Sequence, residues 1–341
     1  MSVSIIDNTD LWDRFVDESP HGTLFHKWKF LKILEKHSGF RLHPYGVYKG
    51  NELICIAPVF FKTYGPGLRM AFSPPPRAAV PNLGPVMSST YSGLRQSKKE
   101  NYLNAAIDDL AAELGKQAPD YTFISTPVGL DDARPFQWAG YDIAVHYTYV
   151  LDLGKPLDEL WSGFSPDCKK NVKRCEKYDL SIRQTTDAET FFKIQNDRLG
   201  SKGLNAPISG AGYLKDVLEA FPDNVKMFFV YAGNEIASVA LHCEHNGSMM
   251  FWMGDINVRR DIPCNEHMMW EFIKDAKARG FREIEFEGAS LRQLCQYKSK
   301  FNPVLKQHYY VMKKDLRGSM AEWAFKNLVA KKIFSRPIRA D

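Results

Sequence analysis

Three carboxylates alternate with apolar residues in "REIEFEGA" (Arg282 to Ala289): Glu283, Glu285 and Glu287 are separated by Ile284 and Phe286. In an extended strand this spacing puts all three on one face. Glu287, beside Gly288 at the strand end, is where a general base can reach a groove. Asp255, which closes "FWMGD", is a second carboxylate at a strand end. A solvated acidic face is the ordinary alternative for both. Cys168, Cys175 and Cys264 have no flanking His or Asp of the kind that activates a nucleophile, and His242 and His245 stand three apart on a strand and face opposite ways. The spacing therefore argues against a covalent cysteine mechanism and a histidine metal pair.

Anion-binding chemistry collects at one helix start. "RRDIPCNEHMMWEFIKDAKARG" (Arg259 to Gly280) predicts a helix with Asn265 as its cap, an apolar stripe of Met269, Phe272, Ile273 and Ala276, basic residues near its end and Gly280 as its stop. A helix start offers N–H groups and partial positive charge to an anion, and Arg259 and Arg260 add to it. Pyrophosphate demands close backbone approach, which glycines allow and "RDIPCN" with Pro263 does not. Glu266 in the first turn also repels a dianion. A weakly held anion on Arg259, Arg260 and Asn265 is expected, not a tightly gripped coenzyme.

The net charge of +5 is unevenly placed. "KKNVKRCEK" (Lys169 to Lys177) carries +4 and the segment from Lys313 to Asp341 carries +5, which leaves the rest acidic. Lys170, Lys173 and Arg174, with Arg198 and Lys202, can steer a phosphorylated or RNA-borne ligand. A solvated helix face is the alternative.

These residues must be held by a sizeable fold. At 341 residues, 44% hydrophobic and 25% charged, the chain suits two globular domains. Its most apolar run, "LICIAPVFF" (Leu53 to Phe61), is far short of the roughly 20 residues of a membrane helix. The start lacks the basic-then-apolar pattern of a signal peptide. Six scattered cysteines suit reduced thiols without a zinc site. A cytoplasmic protein is expected.

Self-comparison shows one unit twice. "VYKGNELICIAP" (Val47 to Pro58) and "VYAGNEIASVAL" (Val230 to Leu241) align without gaps and share half their positions, each reading as a β-hairpin on a Gly-Asn turn. The elements around the second copy read β-α-α-β-β-β-α-β-α-β, and the first half reads the same way. An α/β fold of two similar domains with mixed sheets is predicted, residues 1–153 and 154–315, followed by a basic helical tail over 316–341. The loop "FSPPPRAAVPNLGP" (Phe72 to Pro85) stands in the first copy where "INVRRDIPC" stands in the second, as a binding-site wall or a connector.

At this point the second half resembles a known family, the FemAB/FemX-type transferases of the GNAT (acyl-CoA N-acyltransferase) superfamily. Their pattern is roughly r-x-x-x-P-N-x-x-L-x-W-x-x-I-x-x-A-x-x-x-G, then f-D-f-G-G, then G-L-x-x-F-K-x-x-F-G. Arg259 or Arg260, Asn265, Trp270, Ile273, Ala276, Gly280, Gly288, Leu294, Lys298 and Phe301 match, with Tyr297 in the Phe position. Upstream, Asn171, Lys173, Arg174, Glu176, Lys177 and Leu180 resemble the family's R-x-N-I-R-K-A-E-K-x-G-L stretch, and "DRLGSKGL" (Asp197 to Leu204) a short arginine-containing segment. The departures are Cys264 between Pro263 and Asn265, Glu285 in the Asp position and Glu287 in the first Gly position.

The resemblance implies two tandem GNAT-like domains and transfer of an acyl or aminoacyl group to an amine or hydroxyl by direct attack, without a metal. In characterised members the donor is aminoacyl-tRNA and the acceptor a peptidoglycan precursor. It makes Lys298 the positive group at the developing oxyanion or at a donor phosphate. Acyl-CoA or aminoacyl-tRNA is then a substrate rather than a tightly bound cofactor, and tRNA or an acyl carrier is the expected partner, not DNA or a membrane span. Two other readings stay open: a non-catalytic tandem protein that binds RNA or an acidic carrier, and a conventional acetyl-CoA-dependent N-acetyltransferase.

Overall fold

The two Gly-Asn turns have the same backbone. Gly50 and Gly233 both adopt φ of +60°, and at neither would a Cβ meet another atom within 4 Å. The left-handed conformation alone calls for glycine there. The computed structural model describes residues 1–200, 207–259, 261–325 and 327, without the side chains of Asp255 and Ile256.

The chain divides into two compact units whose sequences interleave. The first comprises Met1–Val145, Asn196–Ser209 and Tyr309–Asp341. Its elements open with β1 (Ser2–Ile5), α1 (Thr9–Glu18), α2 (Trp28–Ser38), β2 (Arg41–Lys49), β3 (Glu52–Tyr64), β4 (Leu68–Ser73) and β5 (Val86–Met87). Then come α3 (Gln96–Lys116), β6 (Tyr121–Ser125), α4 (Arg134–Trp138) and the first residues of β7 (Asp142–Asp152). The strands run β1-β2-β3-β4-β6, with β5 beside β3. Neighbours are antiparallel except β4 and β6, whose parallel ladder runs from Met70↔Tyr121 to Ser73↔Ile124. Helix α3 buries Leu103, Ala106, Ile107, Leu110 and Leu114, the helical spacing of an apolar stripe, among core residues that include Val47, Ile54 and Ala57. The proline-rich loop is packed rather than loose. Arg77 and Ala79 take left-handed φ of 60° and 52°. Ala79 donates its N–H to the Pro207 carbonyl at 3.1 Å, and Ala78 bridges Ile208.

The second unit comprises His146–Gln195 and Gly210–His308. It holds the end of β7, then α5 (Leu157–Gly163), α6 (Pro166–Cys175), β8 (Leu180–Thr185), α7 (Ala188–Gly200), α8 (Ala211–Ala220), β9 (Val225–Ala232), β10 (Glu235–His245) and β11 (Ser248–Asn257). α9 (Cys264–Ala278), β12 (Glu283–Glu285), α10 (Arg292–Lys298) and the start of β13 (Val304–Lys314) complete it. Helix α7 and strand β13 end in the first unit, which also holds α11 (Leu316–Ala324). Strand order here is β7-β12-β11-β10-β9-β8. All pairs are antiparallel except β11 with β12. Helix α9 covers one face, with Met268, Met269, Phe272, Ile273 and Ala276 in a core with Leu151, Met249, Phe251, Ile284 and Phe286.

The α/β element order expected from the repeat is the order observed in both halves, with β5, α5 and α6 added. Two local expectations are corrected. Helix α9 begins at Cys264 with Pro263 in the capping position, so Asn265 lies inside the helix and does not cap it. Strand β12 ends at Glu285, and Glu287 and Gly288 turn left-handed at φ of 47° and 54°. Glu287 therefore does not continue the strand face of Glu283 and Glu285.

A candidate acyl-transfer site where two parallel strands part

Strands β11 and β12 run side by side only from Ser248↔Glu283 to Met250↔Glu285. Beyond that point β12 stops and β11 continues to Asn257. Along this continuation the β10 ladder steps twice, from Ala240↔Gly254 to Val239↔Ile256 and from His242↔Phe251 to Leu241↔Met253. Trp252 and Asp255 are thereby extra residues on β11, in bulges of the kind that re-aim a strand near a site. Gly254, between them, has φ of +115°, and a Cβ would lie 2.7 Å from both Ala240 Cα and the Val239 carbonyl oxygen. No other residue fits without moving backbone.

Glu285 stands at the fork. It is opposite Met250 on β11 and Val150 on β7, and Met250 is opposite Cys243, so these side chains share one row and one face. The Thr148 hydroxyl, two residues from Val150 on the same face, donates to Glu285 Oε1 at 2.9 Å. Burial, with Glu287 and Glu283 adding to it, pushes the Glu285 carboxyl up from its ordinary 4.5 to about 7, against the opposing pull of the Thr148 hydrogen bond and the Lys298 ammonium. This carboxylate is thus poised to take a proton near neutral pH.

The adjoining turn is braced from both sides. Phe286 donates its N–H to the Tyr149 carbonyl at 2.8 Å and Ala289 to that of Tyr147 at 2.9 Å, so β7 holds the backbone on either side of Glu287 and Gly288. The carbonyls of those two residues accept from Lys298 Nζ, that of Gly288 at 3.1 Å. Lys298 is buried at the end of α10, with the wholly buried Phe301 just beyond. Its ammonium fixes the turn while lying close enough to act on Glu285.

The start of α9 is a second polar centre, and its groups are engaged by protein. The N–H groups of Val258 and Arg259 both reach the Ala237 carbonyl, at 2.8 and 3.2 Å, and that of Ile262 reaches the Arg259 carbonyl at 3.0 Å. Asn265 Oδ1 accepts from the Ser238 hydroxyl at 2.7 Å. The Arg259 guanidinium pairs with Asp261 at 3.0 Å and with Glu235. Helix α6 crosses this turn: Arg174 donates to the Asp261 carbonyl at 3.0 Å, Cys175 Sγ to that of Pro263 at 3.3 Å, and Asn171 to the buried Glu266 carboxylate at 2.9 Å. Lys300 lies 2.7 Å from Asp167 and 3.6 Å from Glu266. Its hydrogen bond, with that of Ser165, holds the Asp167 carboxyl down to about 2. The exposed side of α6 carries Lys170, Lys173 and Arg174.

The residues singled out in the sequence therefore fall into distinct places. Glu287 and Lys298 meet at the braced turn, and Arg259, Asn265 and Arg174 meet at the start of α9, with Lys170 and Lys173 beside them on α6. Arg198 belongs to the part of α7 in the first unit. Arg260, Lys202 and the Asp255 side chain lie outside the described residues. Glu285 is the functional candidate that periodicity alone passed over. Its place in the acidic position of the f-D-f-G-G pattern, between two core residues, was the available signal. The thiols are poor nucleophiles, since burial pushes Cys168 and Cys264 up to about 12 and Cys175 to about 11. His242 is core: burial among Phe228, Phe251 and Phe272 drives its imidazole down to about 3.

Residues 164–299, which contain Glu285, Lys298 and the start of α9, match the family model of the acetyltransferase (GNAT) domain. Residues 164–299 thus resemble the GNAT domain of acyltransferases, and the fold of the whole chain is like that of FemX and of a tandem GNAT protein. The crystal structure of FemX is similar over 95% of this chain and 99% of that one, with a TM-score of 0.68 at 15% identity. The structure of L-PGS from Bacillus licheniformis matches over 96% and 98%, with a TM-score of 0.55 at 12% identity. A tandem GNAT protein from the clavulanic acid biosynthesis pathway matches over 91% and 98%, at 0.52 and 10%. No curated protein matches the sequence.

Proposed function

We propose that this protein transfers an activated acyl or aminoacyl group to an amine or hydroxyl, with Glu285 as general base. The observation that carries the reading is a carboxyl pushed up to about 7 at the point where β11 and β12 separate. The acceptor N–H or O–H would give its proton to Glu285 as the nitrogen or oxygen forms a bond to the donor carbonyl carbon. The tetrahedral oxyanion then collapses, the thiolate or ribose oxygen of the donor leaves, and the proton passes to that leaving group. Lys298 serves by holding the Glu287–Gly288 turn and by bringing positive charge to the fork. Glu287, on that turn, remains an accessory carboxylate.

For the donor, the start of α9 favours a carrier-borne group over coenzyme A. Three N–H groups of its turn already serve protein carbonyls, and no glycine lets a pyrophosphate approach. Lys170, Lys173 and Arg174, exposed beside this turn, suit the phosphates of tRNA or of an acyl carrier, and the FemAB resemblance points to aminoacyl-tRNA. The test is single-turnover transfer to small amines and alcohols from acetyl-CoA and from charged tRNA, with wild type and Glu285→Gln. Release from charged tRNA that depends on Glu285 supports the reading. Turnover of acetyl-CoA with equal rates in wild type and variant overturns both donor and base.

A further inference from the structure

The first unit contains a cavity that the reaction at Glu285 does not use. It measures about 1110 Å³ and opens between the first turns of α3, the loop after β6, α4 and the start of β7. All of its wall belongs to the first unit, and the matched segment, residues 164–299, does not reach it. The wall is built before any ligand arrives. His21 Nε2 donates to the Gly129 carbonyl at 3.2 Å, the Tyr309 hydroxyl to that of Asp131 at 2.8 Å, and the Arg134 N–H to Asp132 Oδ1 at 3.0 Å. Leu130 and Ala133, between these points, are buried. A rim fixed in this way has little ordering left to do on binding.

Charge and ring faces decide what fits. Glu100, Asp131, Asp132 and Asp142 line the cavity against Lys99 and Arg134. The Arg134 guanidinium is engaged by the wall itself, with Asp132 at 2.9 Å through Nε and Nη2 and with Glu100 at 2.8 Å. The Asp131 carboxylate has no ion-pair partner among the described residues. Tyr91 adds an aromatic ring, and Lys99 Nζ lies 6.0 Å from its centroid, at the outer limit of a cation–π contact. Burial, with Asp132, Asp131 and Glu100 adding to it, pushes the Tyr91 hydroxyl up to about 12, as a surplus of negative charge requires. An anion would meet that surplus, and a neutral ligand would leave it unbalanced. Several ammonium groups on one flexible chain can meet separate carboxylates and a ring face. We propose that this cavity binds a linear polyamine, with ammonium groups at Asp131 and Asp142 and against Tyr91.

The test is calorimetric titration of the full-length protein with spermidine. Saturable binding is expected, weaker by about tenfold in Asp131→Asn/Asp142→Asn and weaker at high salt. Lys99→Ala should tighten it by about threefold, because it removes a like charge that shares the Tyr91 ring; an anion site would respond in the opposite sense. Glu271→Gln/Asp275→Asn, on α9 in the second unit, should bind as wild type does, which separates the cavity from general attraction to acidic surface. Melting temperatures without spermidine should not move, because the substituted side chains are exposed or half-buried. Absence of binding, an affinity unaltered in Asp131→Asn/Asp142→Asn, or an equal loss in the α9 variant overturns the proposal. So does binding of inorganic phosphate that Lys99→Ala abolishes.

Discussion

Replacing Glu285 with Gln should stabilise the protein at neutral and alkaline pH while abolishing the general base we propose. In the folded state burial raises this carboxyl from 4.5 to about 7, so ionising it above that pH works against folding. At roughly 1.4 kcal/mol per pH unit the span corresponds to an upper bound of about 3.5 kcal/mol. A glutamine keeps an oxygen for the Thr148 hydroxyl and carries no charge. The sign follows from linkage: a carboxyl with a raised folded-state value contributes fully below its unfolded value, and the contribution is lost as pH rises through the folded value. Glu285→Gln should therefore match wild type near pH 4 and exceed it by about 1–3 kcal/mol at pH 8 in urea titrations. Its transfer rate should fall by about 100-fold or more. The wild-type rate on saturating donor should rise with pH and level off above about 7. A stability difference that does not change with pH, or a variant less stable than wild type at pH 8, would refute the placement of a destabilised carboxylate at the fork.

Lys298→Met removes the ammonium that the Glu287 and Gly288 carbonyls share. It should cost about 2–3 kcal/mol and move the pH–rate midpoint upward, because Lys298 now holds Glu285 down; a midpoint that stays fixed would show that the two groups do not interact. Gly254→Ala forces a Cβ to 2.7 Å from backbone and should lose roughly 3 kcal/mol or more in denaturant melts, whereas Gly233→Ala, strained but uncrowded, should lose only about 1 kcal/mol. His242 is driven down to about 3 by burial, so the unfolded chain binds its proton first and stability falls as pH drops from 6.5 towards 3. His242→Phe should flatten that acid limb, and an unchanged acid titration would contradict the neutral core histidine.

Much of the fold was legible because its punctuation is local. Gly50 and Gly233 mark two hairpins through φ alone, and the stripe of α9 follows from spacing at Met269, Phe272, Ile273 and Ala276. The site was less legible because its geometry depends on where regular structure fails. Alternation places Glu287 in line with Glu285, but the strand ends between them and Glu287 turns left-handed, which no period of two can show. The bulges at Trp252 and Asp255 likewise arise from the pairing of β10 with β11 and not from either sequence alone. The distinction between Glu283 and Glu285, equal in pattern, is made by burial: Glu283 is exposed, whereas Glu285 is covered beside Thr148, on a strand far away in sequence.

The two polar centres of the second unit differ in a way that bears on which performs chemistry. At the start of α9, Arg259, Asn265 and Glu266 each have protein partners of suitable charge or hydrogen-bonding character, and the turn N–H groups have carbonyls. Such satisfaction is what a load-carrying joint between α6 and α9 requires. At the fork, by contrast, burial and two neighbouring carboxylates outweigh one hydroxyl donor and the Lys298 ammonium, and the carboxyl is left far from its ordinary protonation. Structural sites relieve such unfavourable charge, and catalytic sites retain it because proton transfer needs it. The sequence feature that first suggests function, a helix start with two arginines, is thus better understood as architecture, and the reaction we propose belongs one strand away, at Glu285.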